Sequence, residues 1–204
     1  MNESHKQQKS TTVVAIKNDD SVVIGADRQV SGRRLLEDDK LFQLHPKGVL
    51  GTSGFVTDIQ TLVSDVKKHQ TEYRIRRGRE MSASTLLTYL REKLNPGSGY
   101  SLPEYLAVVL YVGFDSEPII GKIGPAGTKT TDEDYLVAGS GGSVARGVVA
   151  SDYEDNMTTE EIRGLAVDGL RVAADEGVAT GVGIDIAIVS EDGVEMEKEI
   201  QIER

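Results

Sequence analysis

The feature that most constrains this chain is the order in which its apolar patterns change period. Two β-branched runs, 12–17 (TVVAIK) and 21–26 (SVVIGA), are separated only by Asn18-Asp19-Asp20, which is a hairpin signal. A second pair, 40–44 (KLFQL) and 48–53 (GVLGTS), flanks His45-Pro46-Lys47. The period then switches from two to 3.6. Ile59, Leu62, Val63 and Val66 form one apolar stripe, and Leu86, Leu87, Leu90 and Leu94 form another that stops at Asn95-Pro96-Gly97. Strand patterns return at 106–114 and 118–123 about the turn Asp115-Ser116-Glu117, with a further candidate at 135–138. A third helix is expected from about Gly142. A fourth follows Thr158-x-x-Glu161, a capping box, with Ile162, Leu165, Ala166, Gly169, Leu170 and Ala173 on its stripe. Strands at 184–189 and 194–202, joined by Glu191-Asp192-Gly193, complete the order ββββ-αα-ββ(β)-αα-ββ.

Strands in blocks and helices in antiparallel pairs imply an α+β fold. Every stripe is buried if two antiparallel sheets pack face to face between two helix layers, a four-layer αββα sandwich. No internal repeat or linker interrupts the pattern. The 204 residues therefore read as one domain large enough to hold a substantial core.

Composition narrows the chemistry. The absence of cysteine rules out disulfides, thiolate metal sites and a cysteine nucleophile. His5, His45 and His69 are scattered without metal-ligand spacing, so no metal or other cofactor is expected. A net charge of −10 argues against a nucleic-acid partner. The one basic run, Arg74, Arg76, Arg77 and Arg79, is bracketed by Glu72 and Glu80 and reads as a solvated helix end or a subunit contact. No run approaches the roughly 18 apolar residues of a membrane span, and residues 1–10 lack the apolar core of a secretory signal, so a cytoplasmic location is expected. Catalysis is left to hydroxyls, carboxylates, lysine or the chain's own amine.

Four spots combine such groups with tight backbone. Ser10-Thr11-Thr12 precedes the first strand, which by itself also reads as a polar strand edge. Asp27 ends the second strand and can face back toward the start of the first. Lys40 opens the third. A lysine beside an aspartate is commonly a structural ion pair, but next to a nucleophile it favours ionised neighbours and developing negative charge. Ser53-Gly54, Gly139-Ser140-Gly141-Gly142 and Gly181-Val182-Gly183-Ile184-Asp185 are glycine turns able to aim N–H groups at an oxyanion. The second of these lacks the Gly-Lys-Ser/Thr ending of a phosphate loop.

Taken in order, Ser10-Thr11-Thr12, GADRQ at 25–29, KLFQL at 40–44, GTSG at 51–54, AGSGG at 138–142 and GVGID at 181–185 resemble the β subunits of the 20S proteasome, within the N-terminal-nucleophile hydrolases. YRIRRG at 73–78 and the segment 153–161 resemble the archaeal type in particular. The resemblance implies a leader, residues 1–10, cleaved between Ser10 and Thr11, and a single domain, 11–204. It implies a threonine endopeptidase with Thr11 as nucleophile and its freed α-amine as base. Asp27 and Lys40 would keep the site electropositive, the Gly54 N–H would serve the oxyanion, and Ser140 and Thr180 would lie near the amine. Val30, Phe42, Thr52, Val56 and Gln60 would line the substrate pocket and favour a hydrophobic residue before the cut. Partners would be α-type subunits and other β subunits in stacked rings of seven, unfolded polypeptide substrates and an ATPase regulator. The chain departs from the family pattern at Ser10 (usually glycine), Gln29 (arginine in the archaeal type), Gly177 (usually an aspartate supporting Ser140) and Thr180 (usually serine). Two other readings follow from these features: a non-catalytic or weakly active ring subunit, and an amidase or peptide ligase on the same nucleophile.

Overall fold

A computed structural model describes residues 11–28, 40–95, 105–124, 127–131, 133–176 and 183–201. The first hairpin forms as its apolar runs require, with β1 (Thr12–Lys17) antiparallel to β2 (Ser21–Asp27). Asn18 fixes the turn: its Oδ1 accepts from the N–H groups of Asp20 and Ser21 at 3.0 and 2.7 Å. β3 (Leu41–His45) and β4 (Gly48–Gly54) form the second hairpin, which leads into α1 (Val56–Arg77) and α2 (Ala83–Leu94). Next come β5 (Ala107–Phe114), β6 (Pro118–Ile123), β7 (Lys129–Thr130) and β8 (Tyr135–Gly139). The second helix pair is α3 (Gly142–Asp152) and α4 (Thr159–Glu176), and β9 (Gly183–Ser190) and β10 (Gly193–Gln201) close the chain. The two-residue β7 has no periodic signal of its own and is not among the expected strands. It forms by pairing with β6.

The strands make two five-stranded antiparallel sheets, in the orders β10-β9-β2-β1-β8 and β3-β4-β5-β6-β7. Strand alternation separates three cores. Val13, Ala15, Ile24 and Ala26 from the first sheet meet Val49, Leu110 and Val112 from the second, filling the space between the sheets. The opposite residues of the first sheet, Val14, Ile16, Val23 and Ile186, are covered by Val149 of α3 and Ile162, Leu165 and Leu170 of α4. On the outer side of the second sheet, Leu50, Val109 and Tyr111 pack under Leu62 and Val66 of α1 and Leu86 and Leu90 of α2. The four-layer sandwich expected from the block order is the architecture observed.

Helix ends follow from local chemistry. α1 stops at Gly78, a left-handed residue (φ 66°) whose N–H returns to the Arg74 carbonyl at 2.8 Å. α2 is capped by Ser82, with Asp115 accepting from the N–H groups of Ala83 and Ser84 at 2.7 and 3.1 Å. Ahead of α4 the capping box is made in both directions: Thr158 N–H donates to Glu161 at 2.7 Å, and Glu161 N–H donates to the Thr158 hydroxyl at 3.3 Å. The basic run ends α1 with Arg74, Arg76 and Arg77 exposed, and Arg74 pairs with Glu80 at 3.2 Å. Among the described residues, no helix is long and apolar enough to cross a membrane.

Candidate active site

Three separate parts of the chain converge on the backbone of Thr11 and Thr12. Thr11, 3% exposed, directly precedes β1, which lies between β2 and β8 in the first sheet. The hairpin register, Val13 opposite Ala26, brings the end of β2 beside the start of β1. There the Thr12 N–H donates to Asp27 Oδ1 at 2.5 Å. The other carboxylate oxygen, Oδ2, accepts from the Lys40 ammonium at 3.2 Å. Lys40 stands immediately before β3, in the opposite sheet, so this bond ties the two sheets together at the site. Its own carbonyl accepts the Thr52 N–H at 3.0 Å, which fixes it against β4. Asp27 and Lys40 are 4% and 7% exposed. Charges buried to this degree persist only when paired and hydrogen-bonded, as these are.

The third part is the turn between β8 and α3. The Ser140 N–H donates to the Thr11 carbonyl at 2.9 Å. Gly139 makes that approach possible. Its φ is +94°, and a Cβ at this position would lie 1.7 Å from the Thr11 oxygen. A hydroxyl-bearing residue, a buried cation with its counter-ion and a glycine turn are thus assembled from β1, β2, the start of β3 and the β8–α3 turn. The family model "Proteasome subunit" matches residues 7–189.

The chain belongs to the proteasome subunit family.

Its relatives are β subunits. The chain is 36% identical over 191 residues to proteasome subunit beta of Haloferax volcanii, a match that spans 92% of this chain and 76% of the relative. It is 35% identical over 188 residues to proteasome subunit beta 1 of Thermococcus kodakarensis, spanning 91% of each. To proteasome subunit beta 2 of Ignicoccus hospitalis it is 30% identical over 191 residues, spanning 92% and 88%.

The remaining residues singled out from the sequence of this proteasome β subunit fall as follows. Gly54 ends β4 opposite Ala107, two residues beyond the buried Thr52. Val56, half-buried, opens α1, and Gln60 is exposed one turn later. Phe42 is partly buried against the core under α1 and α2. Ser10, Gln29, Val30, Gly177 and Thr180 lie outside the described residues.

One pair at this end of the sheet went unread in the sequence. Asp185, opposite Ala26 on β9, accepts from the Arg28 guanidinium with both oxygens at 3.2 Å. The available signal was a carboxylate inside an otherwise apolar strand (IDIAIV). A cleft of about 890 Å³ lies at the opposite end of β1, between Asn18 and Thr158. Its rim carries Asp19, Asp20, Asp134, Asp155 and Glu160. It is remote from Thr11 because β1 runs the six residues from Thr12 to Lys17 between them.

Proposed function

We propose that this chain is a catalytic β subunit of the 20S proteasome core, a threonine endopeptidase whose nucleophile is Thr11. The family is one of threonine proteases that assemble into a multi-subunit core. The observation that carries the reading is the convergence of Asp27, Lys40 and the Ser140 N–H on Thr11-Thr12.

In this reading residues 1–10 are a leader and 11–204 the working domain. Attack of the Thr11 hydroxyl on the Ser10 carbonyl, followed by hydrolysis of the resulting ester, releases the leader and frees the Thr11 α-amine. Such an amine has an ordinary pKa of about 7.7–8.0, suited to act as base near neutral pH. It takes the hydroxyl proton as Thr11 Oγ bonds to a peptide carbonyl carbon. The Gly54 N–H stabilises the tetrahedral oxyanion, and the Lys40 charge, fixed by Asp27, favours the negative charge that develops. Collapse breaks the C–N bond, the amine of the departing peptide takes the proton, and water then hydrolyses the acyl ester. Ser140 and Thr180 hold the amine and the hydrolytic water. Val30, Phe42, Thr52, Val56 and Gln60 line a moderately apolar, uncharged pocket that favours a hydrophobic residue before the cut. The subunit works in stacked rings with other β subunits and α-type subunits, in the cytoplasm, on unfolded polypeptides delivered by an ATPase regulator.

A second reading is favoured by Ser10, which adds a side chain at the bond to be cut, and by Gly177, which replaces the usual supporting aspartate. In that reading the chain is a ring subunit that does not cut. Intact mass and N-terminal sequencing of the assembled particle separate the two. Chains beginning at Thr11, labelled there by a peptide epoxyketone, are the expected result. Chains retaining Met1 or Asn2 and refusing the label refute the catalytic reading.

A further inference from the structure

Asp185 is a buried carboxylate, 4% exposed, in a strand whose neighbours Ile184 and Ile186 belong to the core under the helices. Its own alternation matches Ala187, on the face that looks into the second sheet, and so does that of its cross-strand neighbour Ala26. Arg28 continues β2 past Asp27, its N–H donating to the Gly183 carbonyl at 2.9 Å, and its side chain is 27% exposed. Continued by two positions, the β1–β2 register sets Thr11 abreast of Arg28. Thr11 also has the alternation of Val13 and Ala15, which face the second sheet. Arg28 and Thr11 therefore stand abreast on adjacent strands at one end of the first sheet, and Asp185, one same-face step back on the next strand and abreast of Ala26, reaches Arg28 diagonally. Apolar side chains in place of a buried ion pair usually cost nothing or stabilise, so stability gives little reason for a pair here.

We propose that Arg28 and Asp185 form a positioning and charge-balancing pair for the reaction centre, holding the end of β2 against β9 and setting how readily the Thr11 amine takes a proton. The inference rests on the reading of Thr11 as nucleophile. The Arg28 Nη1, donating to both Asp185 oxygens, holds the residue that follows Asp27, and with it the carboxylate that receives Thr12 N–H and Lys40. A cation near the amine disfavours its protonated form and a carboxylate favours it; held together the two nearly cancel. Among the described residues, the other charged groups on the elements packed about Thr11 are Asp27, Lys40 and, in the last turn of α4, Asp175 and Glu176. The β8–α3 turn from Gly139 to Gly141 and the end of β4 from Thr52 to Gly54 carry none.

The test uses assembled particles, active sites counted by epoxyketone labelling, and kcat/KM of a fluorogenic peptide against pH, whose acid limb reports the free enzyme. Arg28→Gln leaves the carboxylate unbalanced and moves that limb to higher pH. Asp185→Asn leaves the guanidinium unbalanced and moves it to lower pH. Each shift is about half to one pH unit, as for a unit charge several ångströms away in a partly screened site. The double variant returns the limb close to its starting position. Shifts of one sign in both single variants, or none in either, overturn the proposal and leave the pair a strand clamp. Should a single variant not assemble, Arg28→Lys keeps the charge but replaces the rigid planar guanidinium by an ammonium on a shorter, more flexible stem. Its kcat per labelled site falls about three- to tenfold with the limb unmoved, and an unchanged kcat refutes the positioning role. A parent particle that neither labels nor cuts fails on Thr11 itself, before Arg28 enters.

Discussion

Gly139→Ala is the substitution whose effect the structure fixes most tightly. An alanine at φ +94° is strained by about 1–2 kcal/mol on conformation alone. Its Cβ would stand 1.7 Å from the Thr11 carbonyl oxygen and 2.7 Å from the carbonyl carbon. Against an ordinary C···O contact of about 3.3 Å, the two backbones must part by about 1.6 Å. The Ser140 N–H, now 2.9 Å from that oxygen, loses its acceptor, at a net cost of about 1 kcal/mol. Displacing close-packed segments adds about 1–3 kcal/mol, so the sum is about 3–6 kcal/mol. The activity effect is larger, because misplacing a reacting group by about 1 Å costs on the order of a hundredfold. Gly78→Ala is the control. Gly78 also has positive φ (+66°), but a Cβ there meets nothing within 4 Å, so the cost is about 1 kcal/mol with no change in turnover. The assay is kcat per labelled site alongside Tm for both variants. Expected is a kcat loss of at least a hundredfold for Gly139→Ala and none for Gly78→Ala. Equal Tm changes and turnover within threefold of the parent in both would refute the argument that Thr11 is seated by this close approach.

Lys40→Ala leaves the buried Asp27 carboxylate without its ammonium partner. It should abolish peptide hydrolysis and cost about 3–5 kcal/mol while rings still form; turnover within tenfold of the parent would remove Lys40 from the chemistry. Asp115→Ala removes the carboxylate that accepts from two backbone N–H groups in the first turn of α2 and should lower stability by about 1–2 kcal/mol in urea melts at neutral pH. Glu197 of β10 is held below the ordinary carboxylate value of 4.5 by its hydrogen bonds from Arg163 of α4. The native state thus binds fewer protons at this group than the unfolded chain. Its contribution is in place above pH 4.5 and is lost as pH falls through the lowered value. The urea midpoint of Glu197→Gln should accordingly fall less than the parent's between pH 5 and acid pH, and parallel titrations would contradict the assignment.

Period and punctuation were enough to read most of the fold. The stripes of α1, α2 and α4 and the β-branched runs of β1, β2 and β5 are local signals, and all are formed. The sequence pattern starts the third strand at Lys40, whereas β3 begins at Leu41, with Lys40 immediately before it. The Lys40 carbonyl still accepts from Thr52 on β4, and its side chain crosses to Asp27 on the other sheet. β7 was illegible because a two-residue strand is defined by its neighbour and not by its own residues. The Arg28–Asp185 pair was illegible for a related reason: the two are 157 residues apart, and only the β2–β9 register makes them neighbours.

That dependence on register explains why one end of the first hairpin governs the other. Side chains alternate with period two, so a one-residue slip of β2 on β1 would turn Asp27 to the opposite face and exchange the set that includes Val22, Ile24 and Ala26, packed against the second sheet, with the set packed under the helices. Burial between the sheets resists the slip, and so does the turn. Asn18 Oδ1 takes the N–H groups of Asp20 and Ser21 and the Ser21 hydroxyl at 2.7–3.0 Å, leaving the loop one closed geometry. The ladder from Lys17 opposite Val22 to Val13 opposite Ala26 carries that geometry to the far end without a bulge. There it delivers Asp27 to the Thr12 N–H. The Asp27–Lys40 bond then joins the two sheets at that same end, so an inter-sheet contact and the seating of the candidate nucleophile depend on one carboxylate. Asn18, at the opposite end of β1 from Thr11, thus sets the register on which that carboxylate's position depends.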